Sequence, residues 1–254
     1  MKRTLLIIAL LVGQSIYAQG GWLFGVRGGV GLPLLLNSNW MNDGNYTYEP
    51  GLTWNVGGMI GYNAVYYNYG LTIGFHYRQT KHVLRYTSLA GTQDPEILRI
   101  SSYEIPLLIR FRPTGDARTR MITYAGWYFE IGVQAASYNA VQYTYESKNQ
   151  LVGTRQMDIT RRFKQWDFQG VIGFGFHQIG TERFAVTHGL KIFASILDMV
   201  EPPQGMGNNQ GNRSNGWLLA PFFEYGQTYP YQPTRFITVQ YMLSIIYKIP
   251  KMGR

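Results

Sequence analysis

The sequence contains no cysteine. That absence removes disulfides, thiolate metal sites, cysteine nucleophiles and the lipid-anchored cysteine of a lipoprotein together. Charged residues make up only 15 % of the 254, and no run of lysine or arginine occurs among them. Most basic residues stand singly inside apolar segments, which is not the clustered footprint of a nucleic-acid-binding surface. Beyond the first residues there is no apolar run near the roughly 20 residues that a membrane-spanning helix requires. Only four histidines are present, and no His/Asp/Glu group has metal-ligand spacing, so neither a metal nor a cofactor is expected. The glycine-rich segments resemble no phosphate loop, because none stands between a strand and a helix.

What is present is glycine, 30 residues, with 20 tyrosines and 13 phenylalanines. The chain opens with Lys2 and Arg3, an apolar stretch from Leu5 to Val12, and Ser15-Ile-Tyr-Ala18 before Gln19. This is the pattern of a cleaved export signal over residues 1–18, leaving 19–254 as the mature domain. Its loss takes two basic residues, so 21 basic face 14 acidic ones, a net charge of +7. A basic exported protein meets anionic lipid and lipopolysaccharide phosphates.

Period-two alternation recurs through the mature chain. Trp22, Phe24, Val26, Val30 and Leu32 share one face of the first stretch, opposite glycines and Arg27. The segment Ser102–Phe111 puts Tyr103, Ile105, Leu107, Ile109 and Phe111 opposite Glu104, Pro106, Leu108 and Arg110. The same reading gives strands over 22–32, 52–63, 69–78, 102–111, 122–135, 164–178, 183–197 and 234–248. Long links, near 33–51, 79–99, 138–161 and 198–233, alternate with short ones at 64–68, 113–118 and 179–182. Eight strands with alternating link lengths predict an all-β fold, an eight-stranded antiparallel up-and-down transmembrane β-barrel with long extracellular loops and short periplasmic turns, integral to an outer membrane. The competing folds are a secreted sandwich and a lipocalin-like soluble barrel. Either would turn the aromatic face inward and leave a glycine-dominated surface with few charges, which is poor for solubility.

The parity places Arg27, His76, Arg78, Glu104, Arg110, Glu130, Asp167, Lys191 and Lys248 inside. An eight-stranded barrel is filled by its side chains, so Glu104 and Glu130 are expected to pair with Arg27, Arg78 or Arg110 in a buried network. Pro106 lacks an amide proton, and a closed barrel offers it no free edge, so a bulge or a missing ladder bond is expected there. Small membrane barrels that act as deacylases, palmitoyltransferases or proteases need a histidine with a serine or carboxylate at a rim. Here His76 and His177 point inward, His82 falls in a long link, and His188 points outward near the short-link end. No nucleophile with an oriented base is visible, and the expectation is a protein without enzymatic activity. Asp94-Pro-Glu96 and Asp198–Glu201 read as solvated turns. The long links carry Trp40, Tyr46, Tyr48, Trp217, Phe222, Phe223, Tyr225, Tyr229 and Tyr231. Trp217, Phe222, Phe223 and Tyr225 form either a contact surface for a protein partner or a plug folded over the barrel mouth.

With the strands placed, Tyr103-Glu-Ile-Pro-Leu-Leu108 resembles the Tyr-x-Glu-Ile-Pro-Leu-Leu segment of the PorT-like outer-membrane β-barrel family of Bacteroidota, one residue shorter between Tyr and Glu. Gly25-Val-Arg-Gly-Gly-Val30 resembles its glycine-rich first strand. The resemblance implies a non-enzymatic barrel, an accessory of protein secretion across the outer membrane by the type IX system, with envelope proteins as partners. The residues themselves leave open an autonomous barrel that binds lipid or a small ligand, or a lipid-modifying barrel enzyme.

Overall fold

Alternation of small or polar residues with bulky apolar ones is realised as nine strands in a computed structural model, which describes residues 21–36, 46–63, 69–87, 93–111, 126–146, 153–158, 160, 163–179, 183–198 and 234–249. They are β1 (Gly21–Leu36), β2 (Tyr46–Asn63), β3 (Tyr69–Thr87), β4 (Gln93–Phe111), β5 (Gly126–Glu146), β6 (Gly153–Asp158), β7 (Asp167–Ile179), β8 (Phe184–Ser195) and β9 (Arg235–Lys248). Every pairing is antiparallel. β1 pairs with both β2 and β9, and β4 with both β3 and β5, so eight strands close into a barrel. The ninth, β6, is an addition. β5 gives one edge to β7 along Gly126–Ala136 and the continuation of that edge to β6 along Val141–Glu146.

Side chains obey the parity of the sequence below a certain height. Val26, Phe75, Ile105, Trp127 and Ile172 stand exposed on the outer wall, while Arg27, His76, Glu104 and Glu130 are buried. On β3 the outward apolar set runs from Tyr69 to Tyr77. That is about 27 Å of strand, or about 20 Å across a membrane at a tilt near 40°, comparable with the apolar band of outer-membrane barrels.

Above Tyr77 the pattern changes sign. The upper end is defined here as the one opposite Gly21 and Ile249. Outward positions become Gln79, Lys81, Arg99 and Asn139, and inward ones become Leu84, Leu98, Ile100 and Ala140. Leu35, Leu84, Leu98, Ile100, Ala136, Tyr138, Ala140, Phe163 and Phe236 pack into one apolar core inside this upper storey. The lower storey is a membrane barrel with a polar interior; the upper storey is built like a soluble one.

Several expectations about links are therefore corrected. Residues 79–87 and 93–99 are strand rather than loop, so the link expected over 79–99 is confined to 88–92. Asp94–Glu96 belong to β4 instead of a solvated turn, and His82 and Tyr48 belong to β3 and β2. Charged outward and apolar inward residues hid these extensions from a search for an apolar outward face. Residues 1–18, Trp40, residues 64–68, 113–118 and 122–125, and the loop aromatics from Trp217 to Tyr231 lie outside the described residues.

Pro106 interrupts the β3–β4 ladder. Pairing runs from Tyr69↔Phe111 to Ile73↔Leu107 and resumes at His76↔Glu104 in unchanged register, so two rungs are missing and no bulge forms. Opposite the proline stands Gly74, where a Cβ would lie 3.2 Å from Pro106 Cγ. A glycine makes room for the pyrrolidine ring, and the β4–β5 side of the strand stays continuously paired through Pro106↔Gln134.

Candidate functional site

The inward charges of the lower storey gather into two groups at different heights. In the first, β5 presents Glu130 to three strands. Its Oε1 accepts from Arg110 Nε at 2.8 Å and Nη2 at 2.5 Å and from Arg27 Nη2 at 3.3 Å, and its Oε2 faces Lys191 Nζ. Arg27 Nε donates to Ser244 Oγ at 2.9 Å, and the Arg110 guanidinium lies 4.4 Å over the Tyr128 ring. One carboxylate thus joins β1, β4, β5 and β8 across the lumen, with β9 tied in through the serine.

In the second group, Glu104 Oε1 lies 3.1 Å from Arg78 Nε and accepts from Ser102 Oγ at 3.0 Å. Arg78 reaches across the barrel, its guanidinium 4.4 Å over the ring of Phe193 on β8. Asp167 Oδ2 accepts from Tyr138 at 2.6 Å, Ser195 at 2.8 Å and Gln169 at 2.9 Å. Gln134 donates to Gln169 Oε1 at 3.1 Å and extends this group back to β5.

Seven of the nine interior residues singled out in the sequence, Arg27, Arg78, Glu104, Arg110, Glu130, Asp167 and Lys191, are members of these two groups. His76 is buried beside them but makes no side-chain hydrogen bond. Lys248, placed inside by parity, is half-buried at the lower rim. The polar partners Ser102, Tyr138, Ser195 and Ser244 were not foreseen, although each has inward parity on its strand. Apart from Ser102–Glu104 and Gln169–Asp167, each two residues apart, these hydrogen bonds and ion pairs bridge residues 20 or more apart, 103 for Arg27 and Glu130, so spacing alone carries little signal of the pairing.

A further constellation occupies the upper storey. β1 and β2 pair only as far as Gly31↔Thr53, although both continue upward, and the β2–β3 register shifts between Pro50 and Thr53. The Tyr48 hydroxyl fills the gap. It accepts from Leu35 N at 3.1 Å, donates to Pro33 O at 3.1 Å, and lies 2.8 Å from His82 Nδ1. With its one proton on Pro33 O, the hydroxyl accepts from a His82 carrying hydrogen on Nδ1, which leaves Nε2 bare and without a hydrogen-bond partner. Both groups sit above the apolar band. Burial raises the Tyr48 pKa to about 12 and lowers that of His82 to about 3.

Each of the three carboxylates, Glu104, Glu130 and Asp167, has one oxygen that accepts from a guanidinium, hydroxyl or amide donor. Among the described residues no set of three or more metal-ligating side chains converges. Apolar clusters bound the charged layer, the upper core above it and Leu23, Met59, Ala185 and Ile246 on the β1, β2, β8 and β9 side below it.

None of the curated proteins matches the chain. Among solved structures, the outer membrane protein OprG from Pseudomonas aeruginosa aligns over 91 % of this chain and 98 % of its own, at 12 % identity and a TM-score of 0.44. Ail of Yersinia pestis, crystallised with the heparin analogue sucrose octasulfate, aligns over 90 % and 99 %, at 10 % identity and a TM-score of 0.39. The N-terminal β-barrel domain of P. aeruginosa OprF aligns over 91 % and 100 %, at 12 % identity and a TM-score of 0.31. At such identities no property of these proteins transfers. Residues 14–192, well over half of the chain, match the outer membrane protein beta-barrel domain family, and the chain belongs to that family.

Proposed function

We propose that this outer-membrane barrel is a non-enzymatic accessory or structural subunit of an envelope complex for protein secretion or assembly, of the type IX kind. The observation that carries the reading is the filled interior. A charged layer tied across the lumen at Glu130 and Glu104, under a packed apolar core, leaves nothing for a diffusing solute to pass through. Its carboxylates are engaged by structural partners, which supports a role outside catalysis. A barrel that neither conducts nor reacts acts through its outer surfaces.

The upper storey supplies such a surface, a strand platform standing above the membrane band. The apolar Trp217, Phe222, Phe223 and Tyr225 add a protein-contact segment in this reading. Upward orientation follows from the general placement of longer outer-membrane barrel extensions outside the cell.

The test is a gentle detergent pull-down of the tagged full chain from its native membrane, with identification by mass spectrometry. Envelope proteins are expected in stoichiometric amounts, and deletion of Pro202–Pro233 should release them while the barrel still folds. Recovery of the barrel alone would overturn the reading in favour of an autonomous lipid- or ligand-binding barrel.

A further inference from the structure

The outer wall of β7 and β8 departs from its surroundings in two opposite ways, the first of them polar. His188 on β8 points outward between buried Thr187 and Gly189, and the rings of Phe176 and Tyr241 flank it with centroids 6.1 and 6.2 Å away. It lies four residues above Phe184, about 13 Å along the strand and about 10 Å along the membrane normal at a tilt near 40°, which is inside the apolar band. Among the described residues no side-chain hydrogen bond reaches either ring nitrogen.

The second departure is apolar. On β3 the outward face turns polar after Tyr77, about 20 Å above Tyr69 along the normal. On β8 the apolar face runs on to the exposed Ile196, about 30 Å above Phe184 on the same scale. Ile196 N donates to Phe168 O at 2.8 Å, which sets the exposed Phe168 and Trp166 beside it. An imidazole without a partner is costly in hydrocarbon, and a cluster of large apolar side chains above the membrane marks a contact surface. One protein surface laid along this wall, from within the membrane to beyond its boundary, removes both mismatches.

We infer that β7 and β8 form the interface of a homodimer, two barrels side by side in one membrane about a twofold axis along the membrane normal near His188. A second copy fits because the wall is complementary to itself. A neutral imidazole has one donor and one acceptor nitrogen, so the same ring of the other copy is a matching partner. A twofold axis along the normal brings equal heights together, imidazole to imidazole within the membrane and the level of Ile196 and Trp166 to itself above it. The exposed Ile172, Leu190 and Ile192 of the same wall supply the apolar packing between. The dimer goes beyond the secretion role proposed above and holds whether or not the barrel recruits other envelope proteins.

The experiment weighs the full chain in mild detergent by native mass spectrometry over a range of protein concentrations, with a heat-dependent gel shift to verify that each variant is folded. The wild type should be dimeric. A side-chain hydrogen bond between membrane-spanning elements is worth roughly threefold to twentyfold in association, so H188L should dimerise at least about threefold more weakly. H188N should dimerise as the wild type does, because its amide also carries donor and acceptor. The absence of cysteine allows a second readout in native membranes. Under mild oxidation His188→Cys should form a disulfide-linked dimer faster than Leu71→Cys, which places its thiol on the exposed wall of β3, four strands away in either direction round the barrel. A monomeric wild type, dimers indifferent to H188L, or equal cross-linking at the two positions would overturn the homodimer. A stoichiometric complex with a different protein that is lost in H188L would assign the wall to that protein and overturn it as well.

Discussion

Glu130 is the residue on which most of the lower storey depends. Three cations from three strands converge on its carboxylate, all of them buried. Replacing it with glutamine keeps the shape and removes the charge, leaving Arg27, Arg110 and Lys191 to repel one another out of reach of bulk water. Removing one member of a buried ionic group costs about 3–5 kcal/mol. The variant E130Q should therefore show a lower urea midpoint when unfolded from lipid vesicles and followed by tryptophan fluorescence. Adding Lys191→Met should recover part of the loss, because one of the stranded charges goes with it. Additive losses in the double variant would show that the cluster carries no coupling. At this scale the sequence was legible in one respect. Parity told which side chains face inward, but partner choice depends on how strands far apart in the chain are brought round the barrel. Pro106 shows the same division: the absent amide proton foretold a ladder defect, while the unchanged register and the role of Gly74 appear only in the pairing.

The elements are longer than alternation of an apolar outer face suggested, and β3 shows why. Tyr69 to Tyr77 satisfies the rule for lipid exposure, while Gln79, Lys81 and Arg85 satisfy the opposite rule on the same side of the same strand. A reader following one apolar face stops at the membrane boundary, although the strand does not. Where β1 and β2 part above this boundary, Tyr48 and His82 take over from the ladder, and this makes the upper storey sensitive to acid. His82 titrates near 6.5 in an unfolded chain and about 3 in the folded one. Between those values the unfolded or opened form binds more protons, so stability falls as pH drops through this window and is complete above about 6.5. Protonation also places a hydrogen on Nε2, which has no acceptor. Amide exchange in 33–36, 46–50 and 80–85, corrected for its intrinsic pH dependence, should accelerate from pH 7 to pH 4, whereas that of 22–30 should not. The variant H82F keeps the ring against Phe236 and removes the titration, so its exchange in the same segments should be flat with pH. A pH response that persists in H82F would place the sensitivity elsewhere.

At the scale of the whole molecule, the closed ring of eight strands was legible because period two and the direction of exposure recur in every spanning segment. The added β6 was not, since among the described residues its six residues pair only with β5, and they carry no apolar face of their own. What the closed ring then does with its lumen follows from layers placed in series: the Glu130 cluster, the Glu104 and Asp167 group above it, and the apolar core at the top. Flow through a series is set by its tightest member, so weakening one layer leaves the path shut. In planar bilayers containing about 1 M potassium chloride, the wild-type barrel should give no steady conductance, in keeping with eight-stranded barrels whose interior is filled by side chains. Truncating the top by L98A/F163A should still give none, because the charged layers beneath are unaltered, even though loss of two core side chains lowers stability by several kcal/mol. Steady channels in the wild type would mean that the charged layers are hydrated and mobile, and channels appearing only in L98A/F163A would mean that the apolar core alone closes the barrel.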